Sequence, residues 1–515
     1  MSKFFQASEI ASAPKLETFQ CVGWPQSAMD RVRYVVYILA ILVSLSLWFI
    51  SVRAPLWLDE TLSFSQICGG FSQIMVRQGG LSAPGYPYVL WFATKILGTS
   101  EIALRIPSIV AMLGAAYFLY RTARELFEFD VAVIATIFFC IHPLVIFLSI
   151  DVRPYAFAAL ALNAAMFLLI HSRHSDSNWL AAGLGITFAL IAYFHLLFMV
   201  IAPAFLICYV AIKIENRTMR WQLWIALAPF AVAFIPAFFG LRFLFHTSSA
   251  HVWDEAPKLV ELCRTLTPGL LPPYILLGAI FLAAATRHFD VESRLGGIRV
   301  LFCVSMALVP ILILYVVSVE TPIHIFVPRY RLVAVPGIAL CWGLIMSRID
   351  SRAIRLLFCV VVVAVAAYQS FSSPFSGLHG YTWKYALEMV QKDASADNAP
   401  VLICSDLPES DHMPMPANPK DSVMFAPLSY YRLSVPVVPL PRTLNQDAIR
   451  IASDFVVGAQ QRHQRFLALG YMASYDTLHW LVEAAKHSYS VQELGTSNGI
   501  VVLEFTPLDS LGDSH

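Results

Sequence analysis

Leu56-Trp57-Leu58-Asp59-Glu60 follows directly on an apolar run long enough to cross a bilayer, and Asp151-Val152-Arg153-Pro154-Tyr155 is wedged between two more such runs. A charged side chain at the centre of a transmembrane helix costs about 2.5–3.5 kcal/mol on insertion scales. Carboxylates at span ends cost less. A pair of them delivered to one membrane face, with an arginine alongside, points to a site. Whether both reach the same face depends on how the chain is threaded.

The chain has 515 residues, 58% hydrophobic and only 13% charged, where a soluble domain carries about 25% charged residues. Its mean hydropathy is +0.66. Apolar runs recur through the first 370 positions at lengths that define a polytopic helical membrane protein. A net charge of +1 argues against a nucleic-acid partner. Cys140, Cys208, Cys303, Cys341 and Cys359 lie inside apolar runs, where they act as small hydrophobes, and no cysteine or histidine spacing suggests zinc or a disulfide framework. Residues 1–33 are polar and precede the first run, so they read as a cytoplasmic segment and not as a cleavable signal peptide.

The candidate spans are 34–52, 103–120, 131–150, 154–171, 178–195, 196–212, 222–244, 272–286, 298–318, 331–347 and 354–372. Segment 84–98 is apolar but short, opening on Pro84, Gly85 and Pro87 and containing Lys95. If it crosses, Asp59 and Asp151 end on opposite sides; if it lies along the surface, they share one side. The positive-inside rule decides. With 84–98 lying flat, Arg31, Arg33, Arg121, Arg124, Arg173, Lys213, Arg217, Arg220, Arg287, Arg294, Arg299, Arg348, Arg352 and Arg355 all fall in inside segments. The expected threading is therefore eleven spans, amino terminus inside, with both acidic clusters and the carboxyl tail outside.

Ser372-Ser373-Pro374-Phe375-Ser376-Gly377 reads as a linker that ends a membrane domain at 34–372. Residues 373–515 are enough for a small folded unit. A helix at 382–393, a strand at 400–405, a Pro-punctuated stretch at 426–441 and alternation up to 501–505 predict a small extracytoplasmic α/β domain.

Under this threading the outer face collects Asp59, Glu60, Asp151, Arg153, Arg329 and Tyr330, with Arg105 at the outer end of 103–120. Arginine binds phosphate oxygens bidentately and cannot lose its charge, and an aspartate can accept a hydroxyl proton as attack develops. Such a set suits a reaction on an anionic, lipid-borne substrate. Arg105 and Arg329 also fit interfacial anchors. His142 and His195 lie in apolar spans and read as satisfied core histidines; the spacing of His246 and His251 is uninformative.

The chain resembles the GT-C glycosyltransferases, in the bacterial branch related to protein O-mannosyltransferases and to the aminoarabinose transferases of lipid A. The resemblance covers roughly residues 34–440. It rests on Leu56-Trp57-Leu58-Asp59-Glu60, on Ala103-Leu104-Arg105-Ile106-Pro107-Ser108, on Ser149-Ile150-Asp151-Val152-Arg153-Pro154-Tyr155-Ala156, and on Pro328-Arg329-Tyr330 with Val335-Pro336. Trp383-Lys384-Tyr385-Ala386 and Ser429-Tyr430-Tyr431 look like the family's tail domain. The order and spacing of these motifs carry the resemblance. The chain departs from the family at Ser82-Ala83-Pro84-Gly85-Tyr86, where relatives usually carry His-Pro-Pro or Lys-Pro, so the basic group they offer there is missing.

The resemblance implies a GT-C membrane fold and an integral transferase of a bacterial inner membrane, taking a hexosyl or pentosyl group from a polyprenyl-phosphate-linked donor, with inversion. Asp59 would be the base, Glu60 would orient the acceptor or a metal, and Asp151 would orient an arginine or the acceptor. Arg105, Arg153 and Arg329, with Tyr155 and Tyr330, would hold the lipid phosphate, and Pro84 and Tyr86 would touch donor or acceptor. No cofactor is assigned and a divalent cation stays open, as does the acceptor: lipid, glycan or protein. Two other classes compete. A transporter or flippase of a lipid-linked saccharide calls for repeat symmetry and charges near the midplane, neither of which the sequence shows. A sensor or assembly protein leaves the acidic loops unexplained.

Overall fold

The computed structural model describes residues 26–77, 85–175, 177–215, 256–266, 271–286, 296–372, 382–411 and 413–508, with a few positions between 225 and 231. Among the described residues six helices are long and apolar enough to cross a membrane: Arg31–Phe49, Glu101–Leu126, Leu196–Glu215, Gly297–Glu320, Pro328–Met346 and Arg352–Ser372. Phe129–Cys140, Tyr155–His171, Asn178–Phe194 and Tyr274–Ala285 are shorter apolar helices. The candidate spans fall on these helices, except 222–244, which lies largely outside the described residues. Large apolar side chains such as Ile38, Leu42, Val110, Leu312, Val316 and Val360 stand exposed on the long helices, as a face solvated by lipid chains requires.

Span 131–150 differs from its reading as one continuous helix. It breaks into Phe129–Cys140 and Pro143–Leu148. Pro143 has no N–H to continue a helix but fits the first turn of a new one, and His142 Nδ1 caps that turn by accepting from Leu144 N at 3.2 Å. The carbonyl of Cys140 near the break accepts from Trp48 Nε1 at 2.9 Å, so this backbone group is satisfied at membrane depth. A close helix crossing sets the neighbouring wall. A Cβ on Gly337 would lie 2.3 Å from Ala307 N, so only glycine lets the helix Val335–Met346 rest against Gly297–Glu320.

The first long loop folds as the helix Leu58–Ile67, a short turn to Arg77, and the 13-residue helix Gly85–Leu97. A helix of that length spans about 20 Å, short of the roughly 30 Å hydrocarbon core. Asp59 and Glu60 occupy the first turn of Leu58–Ile67, where the helix dipole favours negative charge. Glu60 also reaches back to accept from Trp57 N at 3.2 Å, closing the helix start as a glutamate at that position does in a capping box.

The tail is α/β, as its alternation predicts. Strands β1 (Val401–Cys404), β2 (Val437–Leu440), β3 (Phe466–Gly470), β4 (Tyr489–Ser497) and β5 (Ile500–Pro507) form one sheet in the order β2-β1-β3-β5-β4. β1 pairs in parallel with both β2 and β3, while β5 runs antiparallel to β3 and β4. Val401, Ile403, Leu467 and Leu469 face a core with the helix Lys384–Ala394. The alternate residues Leu402, Cys404, Phe466 and Ala468 face the helices Gln446–Gln461 and Tyr475–Ala485. Burial on both sides is why these strands are continuous apolar runs.

The tail meets the first loop directly. Tyr431 Oη accepts from Leu56 N at 2.7 Å and donates to Glu101 Oε1 at 3.0 Å. Tyr430 Oη donates to Thr99 O at 3.0 Å, its ring meets Phe64 edge-on, and Lys384 pairs with Glu101. The two tyrosines thus tie the tail to the segment that leads into Asp59.

Candidate active site

Two sets of side chains meet where the first loop touches the loop at 151–153, and they differ in exposure. The inner set is closed. Arg105 and Glu60 are both fully buried and paired at 2.8 Å. Arg105 Nε donates to Glu60 Oε1 and Nη2 to Glu60 Oε2, while Nη1 donates to Val52 O and Ala54 O and Nη2 also reaches Pro55 O at 3.4 Å. All five N–H groups of the guanidinium are used. Glu60 in turn accepts from Val152 N at 3.0 Å as well as from Trp57 N. Burial raises the Glu60 carboxyl above its usual value, with Arg105 opposing. Its two oxygens nevertheless take four N–H donors, which makes it an acceptor in an ion pair and not an acid.

In this arrangement every N–H group of Arg105 is engaged within the protein, and both Glu60 oxygens are taken by protein donors. Together they lock the first loop to the second. The sequence placed both residues at the outer face, but burial and saturation are three-dimensional properties that residue type does not carry.

Asp151 is fully buried beside this pair. Its Oδ1 accepts from Trp57 Nε1 at 3.1 Å, its backbone carbonyl accepts from Ser108 Oγ at 2.7 Å, and its Oδ2 has no hydrogen-bond partner. Burial first, and then the Glu60 charge, raises its carboxyl well above the usual range, against Arg153 and the Trp57 indole. A protonated Asp151 would serve as a donor and a support, not as a base. Tyr86 is buried in an apolar cluster with Leu56, Ile67, Leu90, Leu104 and Val152, and its hydroxyl has no hydrogen-bond partner. Pro84, like Ser82 and Ala83, lies outside the described residues.

The outer set is open. Asp59 pairs with Arg329 at 2.9 Å, with side-chain exposures of 18% and 36%. Arg153 Nη1 donates to the Asp59 carbonyl at 3.2 Å and to Ser63 Oγ at 3.4 Å. Nε of Arg153 and Nε of Arg329 have no hydrogen-bond partner. Tyr330 stacks loosely against the Arg329 guanidinium at 5.6 Å, and Tyr155 lies close enough to act electrostatically on both arginines. The structure therefore brings Asp59, Arg153, Arg329, Tyr155 and Tyr330 together, from elements up to 270 residues apart in sequence.

Three features were not assigned a role from sequence. Trp57, quoted only as part of a motif, holds Asp151. Asp406, at the carboxyl end of β1, is raised to about 6 by burial, with Arg442 opposing and the Asp59 charge adding slightly, so the tail brings a carboxyl toward the site. His195 is not the satisfied core histidine of the sequence reading: its Nδ1 is buried without a partner. Its signal was present, since it sits at the joint of two adjacent spans. Among the described residues no three His, Cys, Asp or Glu side chains are grouped to hold a metal ion.

The structure matches that of ArnT from Cupriavidus metallidurans in the apo state with a TM-score of 0.55, at 13% identity, over 93% of this chain and 98% of that one. ArnT from the same organism bound to undecaprenyl phosphate matches at 0.54 and 12% identity, over 91% of this chain and 97% of that one. The chain has the GT-C fold. Residues 82–239 also match the family model of dolichyl-phosphate-mannose-protein mannosyltransferase, so the resemblance read from the motifs stands. No curated protein matches the chain. This GT-C-fold protein is integral to the membrane, and its fold brings the loop that leads into Leu58–Ile67, the loop at 151–153 and the start of the segment Pro328–Met346 to one place.

Proposed function

We propose that this GT-C protein transfers a sugar from a polyprenyl-phosphate-linked donor to an acceptor hydroxyl, with inversion at the anomeric carbon. The observation that carries the reading is the open pair Asp59–Arg329 with Arg153 beside it: one carboxylate and two guanidinium groups converge, and each guanidinium has a free Nε. The likeness to ArnT, one of whose structures holds undecaprenyl phosphate, supports the choice of donor.

In this reading the acceptor oxygen forms a bond to the anomeric carbon as the bond from that carbon to the phosphate oxygen breaks. The hydroxyl proton passes to Asp59, and the electron pair of the broken bond stays on the lipid phosphate. Arg329 and Arg153 stabilise that growing charge, and the hydroxyls of Tyr155 and Tyr330 donate to its oxygens. Asp151, Glu60 and Arg105 hold the two loops in register. Sugar and acceptor are chosen by surfaces beyond these residues. In a strain lacking the chain, mass spectrometry of envelope lipids and glycans should show one sugar modification lost and restored by the wild-type protein; an unchanged profile contradicts the reading.

The site is proposed to face outward from a bacterial inner membrane, with the amino terminus inside, because that threading leaves every inside segment basic. Single cysteines in a cysteine-free background test it. A cysteine at position 413, where Met413 stands exposed, should react with a membrane-impermeant reagent from outside, and labelling only from the cytoplasm overturns the orientation.

Arg329 separates a phosphate ligand from a helix anchor. Lysine keeps the charge and loses the fork, so Arg329→Lys should transfer more slowly than wild type and Arg329→Ala more slowly still, by about 100-fold or more if a charge-stabilising donor is lost. An interfacial anchor predicts that lysine substitutes fully. The measurement is single-turnover transfer normalised to folded protein. Near-wild-type rates for both variants would assign the phosphate to other residues.

A further inference from the structure

His195 lies among the groups proposed to hold the lipid phosphate. The helix Asn178–Phe194 ends on it, and the chain continues as the turn Leu196–Ile201. The break presents the ring at the end of the helix, and the ring is held on three sides. Its centroid is 5.0 Å from Tyr155, 5.3 Å from Tyr330 and 5.0 Å from Phe198. Arg153 and Arg329 are close enough to act on it electrostatically.

The ring makes no hydrogen bond among the described residues, and its Nδ1 is buried. Buried polar atoms are rarely left so. The charged groups nearest to it are guanidinium groups, which only donate. Asp59 accepts from Arg329 and, through its carbonyl, from Arg153, but among the described residues nothing accepts from the imidazole; an anion placed between Arg153, Arg329 and the two tyrosine hydroxyls would supply that acceptor. An imidazole N–H is a donor of the right kind for that anion, and three aromatic neighbours hold the ring in place.

We propose that His195 is a substrate-binding residue, donating an N–H to a phosphate oxygen of the polyprenyl-phosphate group alongside Arg153 and Arg329. This rests on the reading of the donor given above and adds a contact that neither the motifs nor the arginines supply. A ring with this role is needed for its N–H and not only for its shape.

Two substitutions predict opposite orders for donation and packing. His195→Phe keeps an aromatic ring between Tyr155 and Tyr330 and removes the donor. His195→Gln keeps an N–H and removes the ring. The measurement is binding of undecaprenyl phosphate to purified protein in detergent, with inorganic phosphate as a competitor and thermal stability read in parallel. Losing a hydrogen bond to a charged group weakens binding by about tenfold or more. The expected result is that His195→Phe loses at least that much at unchanged stability, while His195→Gln stays closer to wild type, and that inorganic phosphate competes weakly.

Wild-type binding by His195→Phe, with His195→Gln impaired, makes the residue a packing element and overturns the proposal without touching sugar transfer. Wild-type protein that binds inorganic phosphate as well as the lipid phosphate removes the lipid from the assignment. Failure of the wild type to bind undecaprenyl phosphate overturns both this contact and the donor reading on which it rests.

Discussion

Asp59→Asn should reduce transfer by about 100- to 10,000-fold, the span that a positioned general base contributes, while the protein stays folded. The amide oxygen can still accept from Arg329, whose Nη1 now lies 2.9 Å from the carboxylate, so the arrangement of the loop is largely kept. What is lost is the ability to take the acceptor proton as the new bond forms. Because Asp59 is open to the site and Glu60 and Asp151 are buried, neither of those two carboxyls stands ready to replace it. The loss should therefore appear in the single-turnover rate with undecaprenyl phosphate binding changed far less. Turnover within a few-fold of wild type would remove Asp59 as the base, and the same rate with lost phosphate binding would make it only a partner that orients Arg329.

The fold was legible because a membrane protein writes its architecture in long apolar runs, and because basic residues mark one side of them. The short apolar segment at 84–98 was the decisive ambiguity, and it folds as the 13-residue helix Gly85–Leu97. The tail was legible for a different reason: strands buried on both faces, such as Val401–Cys404 and Phe466–Gly470, are unbroken apolar runs between helices of clear 3.6 period. The break at His142-Pro143 was hidden, since Pro143 can kink a helix or start a new one, and the choice depended on Trp48 reaching the Cys140 carbonyl from 92 residues away.

The proximity of the motif residues was legible in the sequence, and their burial less so. Asp59, Arg153, Arg329, Tyr155 and Tyr330 converge as the motifs implied. Glu60 and Arg105 do not share their openness, because adjacent residues on a helix point in directions about 100° apart: Asp59 faces the site and Glu60 faces the interior. No sequence rule says which of two neighbouring acids turns inward. That depends on Val152 N, Trp57 N and the Arg105 side chain being there to receive it.

The buried pair gives the sharpest test of that division. Arg105→Ala would leave Glu60 charged with no cation beside it, and would free the carbonyls of Val52, Ala54 and Pro55. Removing one partner of a buried ion pair costs about 3–5 kcal/mol, so this variant should lose a large part of its stability and reach the membrane poorly. Arg105→Lys should recover little, because an ammonium has three N–H groups for five acceptors and lacks the planar fork. Replacing both partners, as in Arg105→Met with Glu60→Leu, should restore folding better than either single change, since no buried charge is left alone. A phosphate ligand predicts the reverse pattern: Arg105→Ala would be as stable as wild type and defective only in binding undecaprenyl phosphate, and the double variant would be no better than the single one. Thermal unfolding in detergent, read beside undecaprenyl phosphate binding for the same preparations, distinguishes the two. Unchanged stability of Arg105→Ala would return Arg105 to the phosphate and leave the locking of the two loops to other contacts.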